Sequence, residues 1–209
     1  MMMFTEKEKD IIEKAKIYVK NILGNDASGH DYNHILRVYN MALHLNLKYQ
    51  ANWYIISLGA LLHDIDDYKI SNSKIPDERT RKFFEDNSLE EETRDRVIDI
   101  INTISYSKQI RGVKVTSLEG KIVQDADRLD ALGAIGIART FAFGGSKNRL
   151  LYDENDYGSS SLAHFYDKLF KLADLMNTAE AKKIAKKRTK FMRKYVDNFK
   201  KEWEGKIEN

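Results

Sequence analysis

Two histidines and a group of carboxylates have the types and the spacing that a metal site needs. His34 shares the apolar stripe of a predicted helix, so its imidazole is expected to face inward. His63 and Asp64 directly follow the apolar run L-G-A-L-L, and a further acidic cluster, Q-D-A-D-R-L-D, occupies residues 124 to 130. Imidazole nitrogens suit borderline transition metals and carboxylate oxygens suit harder cations, so this mixture indicates a divalent metal ion. Mixed nitrogen and oxygen sites with an open position serve hydrolysis, because the metal lowers the pKa of its bound water.

Each of these residues also has a structural explanation. An inward histidine is more often a hydrogen-bonded core residue than a ligand, and His63 with Asp64 could be a helix C-terminal cap followed by an exposed aspartate. On a helix, Asp127 and Asp130 project about 60° apart. Asp130 lies nearer the centre of the apolar stripe of its segment. Spacing alone therefore favours Asp130 and leaves the ligand set open.

The segments that must position these side chains have helical periodicity from end to end. Thr5 and Glu8 form a predicted capping box. Asn52 is a predicted cap for a helix from Trp53 to about His63, which is apolar nearly all round and should be central. Periodicity further predicts helices at 5–24, around His34, from near Pro76, and at 90–106, 117–143, 161–176 and 178–203. The segment R-G-V-K-V-T is too brief for a sheet, so we expect an all-α fold, with one domain over residues 1–209.

Composition narrows the class of protein. The chain has 209 residues, one proline, no cysteine, and 35 basic against 32 acidic residues, for a net charge of +3. The lack of cysteine excludes disulfides and thiolate metal sites, and the balanced charge does not indicate nucleic acid as a partner. The basic stretch at 181–195 sets its lysines opposite an apolar stripe, which favours a solvated amphipathic helix. The polar N-terminus and the absence of a long apolar run predict no signal peptide, no membrane span and a cytoplasmic protein.

His34, the His63–Asp64 doublet and Asp127 together resemble the signature of the HD superfamily of metal-dependent phosphohydrolases. Four runs resemble, in this order, small single-domain bacterial HD hydrolases over about residues 20 to 203: G-H-D-Y-N-H-I-L-R-V, L-L-H-D-I-D-D-Y-K, D-A-D-R-L-D-A-L-G-A-I-G-I-A-R-T-F and H-F-Y-D-K-L. That subgroup includes nucleoside and deoxynucleoside triphosphate pyrophosphohydrolases. The resemblance implies an HD-type helical bundle with the metal site between central helices.

The resemblance also implies a ligand set and catalytic residues. The metal ligands would be His34, His63, Asp64 and Asp127. Asp127 is preferred to Asp130 here because A-D-R-L matches the ligand context of the family. Asp64 would also orient water, and Asp67 would assist proton transfer where glutamate is more usual; alternatively, Asp67 caps a turn. His30 competes with His34 by position, but it precedes the helical stripe and would at most contact substrate or support a ligand.

Cations for a phosphate substrate are implied near the same motifs. Lys69, Lys108 and Arg139 would hold phosphate oxygens, the arginine as a fork and the lysines as point charges. Each could equally be a surface charge or part of a structural ion pair. Asp66 is expected to be solvated, and His164 either reaches the cavity or makes a core hydrogen bond.

The activity implied is hydrolysis of a nucleoside or deoxynucleoside triphosphate to the monophosphate and pyrophosphate. Mn²⁺ is the preferred metal, with Mg²⁺, Co²⁺, Ni²⁺ and Zn²⁺ as alternatives. The same site could instead serve a nucleotide monophosphatase or a phosphodiesterase, and the fold could serve a non-catalytic nucleotide sensor. The expected partner is a small nucleotide, with neither nucleic acid nor membrane, and a homodimer is the default assembly. The loop 146–160 has the length of a functional segment and could close as a lid.

Overall fold

The computed structural model describes residues 4–24, 31–66 and 75–206. Within these ranges the chain forms ten α-helices, two short 3-10 segments and no β-strand, which confirms the all-α prediction. The helices are α1 (Glu6–Leu23), α2 (Tyr32–Tyr49), α3 (Trp53–Leu62), α4 (Glu78–Asp86), α5 (Glu91–Thr103), α6 (Tyr106–Ile110), α7 (Leu118–Asp130), α8 (Gly133–Ser146), α9 (Ala163–Asp167) and α10 (Ala179–Trp203). The 3-10 segments are Tyr157–Ser159 and Leu169–Leu175.

Side-chain caps set the starts of the early helices. The Thr5 hydroxyl accepts a hydrogen bond from the Glu8 backbone N–H, and the Glu8 carboxylate accepts one from the Thr5 N–H at 2.7 Å. The Asn52 side-chain oxygen accepts from two N–H groups in the first turn of α3, those of Tyr54 and Ile55. Both predicted caps are confirmed. They satisfy N–H groups that have no partner inside the helix.

The prediction of one helix over 117–143 is wrong. Helix α7 ends at Asp130 and α8 starts at Gly133, whose φ is +80°, a conformation that glycine adopts at little cost. Gly136 then comes so close to the end of α7 that a Cβ atom there would lie 2.2 Å from the Ala131 carbonyl oxygen. The apolar periodicity runs on across this tight turn, so the pattern alone did not reveal it.

Two other predicted helices are divided. The segment 90–106 ends as α5 at Thr103, and α6 begins after Ser105, whose hydroxyl accepts from the Lys108 N–H. The segment 161–176 forms the five-residue α9 and then the 3-10 segment Leu169–Leu175.

The contacts divide the chain into two compact units, Met1–Asp127 and Arg128–Asn209. In the first unit α3 packs against α1, α2 and α5, and every residue from Ile55 to Leu62 is buried. Gly59 permits a close approach of α5, since a Cβ there would lie 3.1 Å from the Ile100 side chain. The prediction that α3 is central holds within this unit, and the organisation as one domain stays a prediction.

In the second unit α10 packs against α8 and the 3-10 segment Leu169–Leu175. It buries one stripe, formed by Ala181, Ala185, Thr189, Met192 and Val196. The lysines between these positions are exposed: Lys182, Lys183, Lys186, Lys187 and Lys190. Phe141 of α8 stacks on Phe199 of α10, with ring centroids 5.9 Å apart. The helix is therefore amphipathic, as its sequence predicts, and its basic face is solvated.

Candidate metal centre

His34 is fixed by the start of α2. Asp31 caps this helix: its carboxylate accepts a hydrogen bond from the His34 backbone N–H at 2.8 Å. His34 therefore lies in the first turn of α2, and its side chain is completely buried. The inward orientation predicted from the apolar stripe is confirmed.

His63 follows α3 directly and is held through one ring nitrogen. Its Nδ1 lies 2.9 Å from the Ala60 carbonyl oxygen, which can only accept, so Nδ1 carries the proton. In the neutral ring Nε2 then has a lone pair, and among the described residues this buried atom has no hydrogen-bonding partner. Metal-binding histidines typically have one ring N–H held by a carbonyl, as Nδ1 is here, while the other ring nitrogen faces other candidate ligands. His63 thus both caps α3 and presents a nitrogen.

The nitrogens of both histidines converge on two carboxylates. His34 Nε2 lies 3.4 Å from Asp64 Oδ2 and 3.6 Å from Asp127 Oδ1. His63 Nε2 lies 3.5 Å and 3.9 Å from the same two oxygens. One ligand atom each of His34, His63 and Asp127 lies within 4.8 Å of the others. The structure therefore brings the four predicted ligands together, all within the unit Met1–Asp127.

These separations suit a divalent ion. Two ligands about 2.1 Å from one ion at tetrahedral angles are about 3.4 Å apart. Bringing two partly buried carboxylates and two buried imidazole nitrogens together without a cation costs free energy, because the groups lose water and gain no compensating charge. The buried, hydrogen-bond-deficient Nε2 of His63 is the atom that such an ion would satisfy. The residues present therefore fit a bound metal.

The cluster is open on one side. The side chains of His34 and His63 are 1% and 2% exposed, whereas those of Asp64 and Asp127 are 17% and 33% exposed. The imidazoles are thus the buried part of the cluster, and the carboxylates are its solvent-facing part. A substrate would reach the ion from the carboxylate side.

The structure distinguishes Asp127 from Asp130, the aspartate that spacing alone favours. Asp127 lies in the cluster. The Asp130 carboxylate instead accepts a hydrogen bond from Arg139 Nη1 at 2.7 Å, in a largely buried ion pair that links α7 to α8. The structure therefore differs from what helix spacing alone favours: Asp127, and not Asp130, lies with the histidines. Phosphate binding by Arg139 stays a prediction. The contact that Arg139 makes in the structure is the ion pair with Asp130.

Of the five other predicted site residues, the structure describes two, Lys108 and His164. Asp67, Lys69 and His30 lie outside the described residues. Lys108 Nζ donates to Asn102 Oδ1 at 3.1 Å. Burial lowers the pKa of His164, and the charges of Lys168 and Arg149 lower it further.

The loop 146–160 is tied to the segment that follows it. The backbone N–H groups of Ser161 and Leu162 donate to the carbonyls of Leu150 and Leu151 at 2.9 and 3.1 Å. Closure of this loop as a lid stays a prediction.

Asp66 was expected to be solvated, and that prediction is wrong. Its carboxylate accepts hydrogen bonds from the N–H groups of Arg79 and Thr80, both at 3.0 Å, and from the Thr80 hydroxyl at 2.6 Å. Arg79 in turn donates to the Ile65 carbonyl at 2.9 Å. Asp66 therefore caps α4 from thirteen and fourteen residues away. Sequence patterns of helix capping are local, so they held no signal for this role.

An all-α fold with a His/Asp cluster that could hold a metal ion fits a metal-dependent hydrolase. A family model described as "HD domain" matches residues 31–132. Bacillus subtilis YpgQ is 39% identical over 206 residues, which are 95% of this chain and 97% of that protein. The chain therefore belongs to the HD superfamily of metal-dependent phosphohydrolases.

Solved structures agree with this assignment. The crystal structure of B. subtilis YpgQ in complex with ADP matches with a TM-score of 0.80 and 36% identity, over 94% of this chain and 96% of that one. An HD-superfamily hydrolase from Bacillus thuringiensis is 46% identical, with a TM-score of 0.77 over 94% and 98% of the two chains. A Lactobacillus plantarum protein has a TM-score of 0.84 and 35% identity over 97% and 100%.

No helix among the described residues combines the length and the apolar character that crossing a bilayer requires.

Proposed function

We propose that this protein hydrolyses a nucleoside or deoxynucleoside triphosphate to the monophosphate and pyrophosphate. The observation behind the proposal is the convergence of two buried imidazole nitrogens and two carboxylates on one point. A nucleotide substrate is favoured because the structure of a relative 36% identical to this chain is a complex with ADP. The triphosphate and the position of cleavage rest on the resemblance of the four sequence runs.

The ligands set the charge of the proposed site. His34, His63, Asp64 and Asp127 would hold the ion, for which Mn²⁺ is the preferred candidate. Such an ion, when bound, supplies Lewis acidity: it neutralises phosphate charge and lowers the pKa of water, so that hydroxide is available as a nucleophile at neutral pH. Two neutral imidazoles and two carboxylates balance a divalent charge, so a polyphosphate would meet no net repulsion from this group.

The carboxylates on the open side would handle the water. Asp64 is partly exposed beside both imidazoles, where it can orient a water molecule toward the substrate phosphorus. Asp67, three residues further on, is proposed to take a proton from that water. The phosphates would be held by Lys69 and Lys108, since an ammonium group is a compact charge with three donors.

A product-resolved assay tests the function. Purified protein would be incubated with Mn²⁺ or Mg²⁺ and a panel of nucleoside and deoxynucleoside mono-, di- and triphosphates, and a cyclic dinucleotide. We expect equal amounts of monophosphate and pyrophosphate from a triphosphate. Free phosphate from monophosphates, or cleavage of the diester alone, would overturn the proposal in favour of another phosphoester reaction. Tight nucleotide binding without any turnover would make the protein a sensor.

A matched pair of variants tests the site. His63→Ala should abolish turnover, because it removes a ligand. His44→Ala should not, since His44 is an exposed histidine on α2. Turnover retained in His63→Ala would refute the assignment of the cluster.

A further inference from the structure

Lys108 is held by a chain of side-chain hydrogen bonds. Its Nζ donates to Asn102 Oδ1 at 3.1 Å, and Asn102 Nδ2 donates to Asp77 Oδ2 at 3.0 Å. Lysine can only donate and the carboxylate can only accept, so these partners fix which way the Asn102 amide points. Among the described residues Asn102 Oδ1 is the one hydrogen-bonding partner of this ammonium group, so its other two donors can bind water or a ligand.

One end of this chain is linked through Asp66 to the segment that contains Asp64. Asp77 immediately precedes α4. The N–H groups of Arg79 and Thr80, two and three residues after Asp77, are bound by the carboxylate of Asp66, which is only two residues after the metal-cluster residue Asp64. Hydrogen bonds therefore join the first turn of α4 to the segment that contains Asp64 and Asp66.

The other end is linked through Ile104 to the helix that carries Asp127. Lys108 belongs to the short helix α6, which follows α5 after Ile104 and Ser105. The Ile104 carbonyl accepts a hydrogen bond from Gln124 Nε2 at 3.0 Å, and both residues are buried. Gln124 lies on α7 one turn before Asp127. The segment between α5 and α6, which precedes Lys108, is thus hydrogen-bonded to the turn of α7 that leads to Asp127.

We propose that Asn102, fixed by Asp77, is a positioning residue that holds the Lys108 ammonium ready for the phosphate chain of a nucleotide bound at the cluster. This inference rests on the proposed function, because it requires a substrate with phosphates at that point. A lysine side chain has several rotatable bonds, and ordering it during binding costs conformational entropy. Holding it beforehand removes part of that cost from the binding step.

The neutral amide is suited to this task. A carboxylate in direct contact with Lys108 would also hold the ammonium, but it would cancel the charge that attracts phosphate. Asn102 places an amide between the Asp77 carboxylate and the ammonium, so the side chain is ordered and its charge is kept. The arrangement predicts that the contribution of Asn102 grows with the number of phosphates on the ligand.

The test measures binding as well as turnover. Binding of AMP, ADP and inorganic tripolyphosphate would be measured by calorimetry, with Mn²⁺ present, for the wild type, Asn102→Ala, Lys108→Ala and the double variant. We expect Asn102→Ala to weaken tripolyphosphate binding about tenfold, ADP binding less and AMP binding least, as loss of a charge-assisted hydrogen bond does. With a triphosphate substrate, KM should rise by a similar factor and kcat should change little.

Three controls separate positioning from folding. In the Lys108→Ala background, Asn102→Ala should add nothing, because Asn102 acts through the lysine. Asp77 has a φ of +54°, which asparagine and glycine both tolerate; Asp77→Asn keeps an acceptor and should retain binding, whereas Asp77→Gly should weaken it. Asn87→Ala, at the opposite end of α4, should leave binding unchanged.

Each outcome decides the matter. Unchanged tripolyphosphate affinity in Asn102→Ala, or an equal loss in the Lys108→Ala background, would overturn the inference even if triphosphates are hydrolysed. A graded loss with phosphate number would support it even if the product assay finds a different reaction. Absence of measurable ADP and tripolyphosphate binding by the wild type would overturn it as well.

Discussion

His63 Nδ1 donates a hydrogen bond to the Ala60 carbonyl across 2.9 Å, one turn earlier on the same helix. The bond satisfies a carbonyl at the end of α3 that has no helical partner. It also fixes the tautomer of the ring, so that the buried Nε2 presents its lone pair to the cluster. The capping role and the proposed ligand role thus belong to the two nitrogens of one side chain.

This division of labour predicts different effects for two amide replacements of His63. In His63→Asn the amide nitrogen can reach the position of Nδ1 and keep the bond to Ala60, but no atom reaches the position of Nε2. In His63→Gln the longer side chain can place its amide oxygen near that position. We expect Mn²⁺ affinity, measured by calorimetry, to fall in both and to be lower in His63→Asn. The reverse order would contradict the tautomer assigned here.

The two aspartates of α7 should separate metal binding from stability. Asp127→Asn should strongly reduce Mn²⁺ affinity and leave the metal-free protein as stable as before, because it removes one negative charge from a crowded cluster. Asp130→Asn should destabilise the fold by about 1–3 kcal/mol, since it leaves the largely buried Arg139 without its carboxylate. Calorimetry with Mn²⁺ and urea denaturation of metal-free protein measure the two effects. Similar profiles for the two variants would contradict this division.

The sequence predicted the helices whose ends have local caps and the side chains that face inward on a long helix. Thr5, Asn52 and the stripe through His34 are of this kind, because capping and periodicity depend on residues a few positions apart. The choice of Asp127 over Asp130 came from the family resemblance. Helix spacing alone favoured Asp130, since it could not show that α7 stops there and that Arg139 returns to pair with it.

Asp66 shows why other parts could not be predicted. Its partners, Arg79 and Thr80, are separated from it by a segment of the chain whose path the sequence pattern does not specify. Asn102 and Gln124 likewise act through partners 25 and 20 residues away. Such contacts depend on how helices pack together, which local patterns of periodicity and capping do not specify.

The long-range cap made by Asp66 has a measurable contribution. Asp66→Ala removes acceptors for three hydrogen bonds at the start of α4, and we expect a loss of about 1–2 kcal/mol in the free energy of unfolding. Asp86→Ala, at the exposed end of the same helix, removes only a solvated pair with Lys82 and should cost less than about 0.5 kcal/mol. Urea denaturation of metal-free protein measures both. Equal stability of the two variants would show that Asp66 does not cap α4 in solution.

The tight turn between α7 and α8 should tolerate no side chain at Gly136. A Cβ there would lie 2.2 Å from the Ala131 carbonyl oxygen, a backbone atom that cannot move aside alone. Gly136→Ala should therefore destabilise the protein by more than about 2 kcal/mol. Gly145→Ala is the matched control on the same helix, since nothing lies within 4 Å of its Cβ position. It should be neutral or stabilise by up to about 1 kcal/mol. Thermal unfolding of both variants checks the contrast.

His164 should make stability depend on pH in a defined direction. Burial is the main cause that lowers its pKa below the ordinary value of 6.5, and Lys168 and Arg149 add to the effect while Asp167 opposes it. Well above pH 6.5 the imidazole is neutral in both the folded and the unfolded chain, so it does not affect the dependence of stability on pH. As the pH falls below that value the unfolded chain takes up the proton first, and stability declines until the pH reaches the lower pKa of the folded state.

The variant His164→Gln isolates this contribution because glutamine does not titrate. All groups other than His164 are the same in both proteins, so their effects cancel in the comparison. We expect the free energy of unfolding of the wild type, minus that of His164→Gln, to decrease when the pH is lowered from about 7.5 to about 5.5. Denaturation in urea at a series of pH values, with metal removed, measures the difference. A difference that stays constant or increases toward low pH would show that His164 is not held in its neutral form by burial.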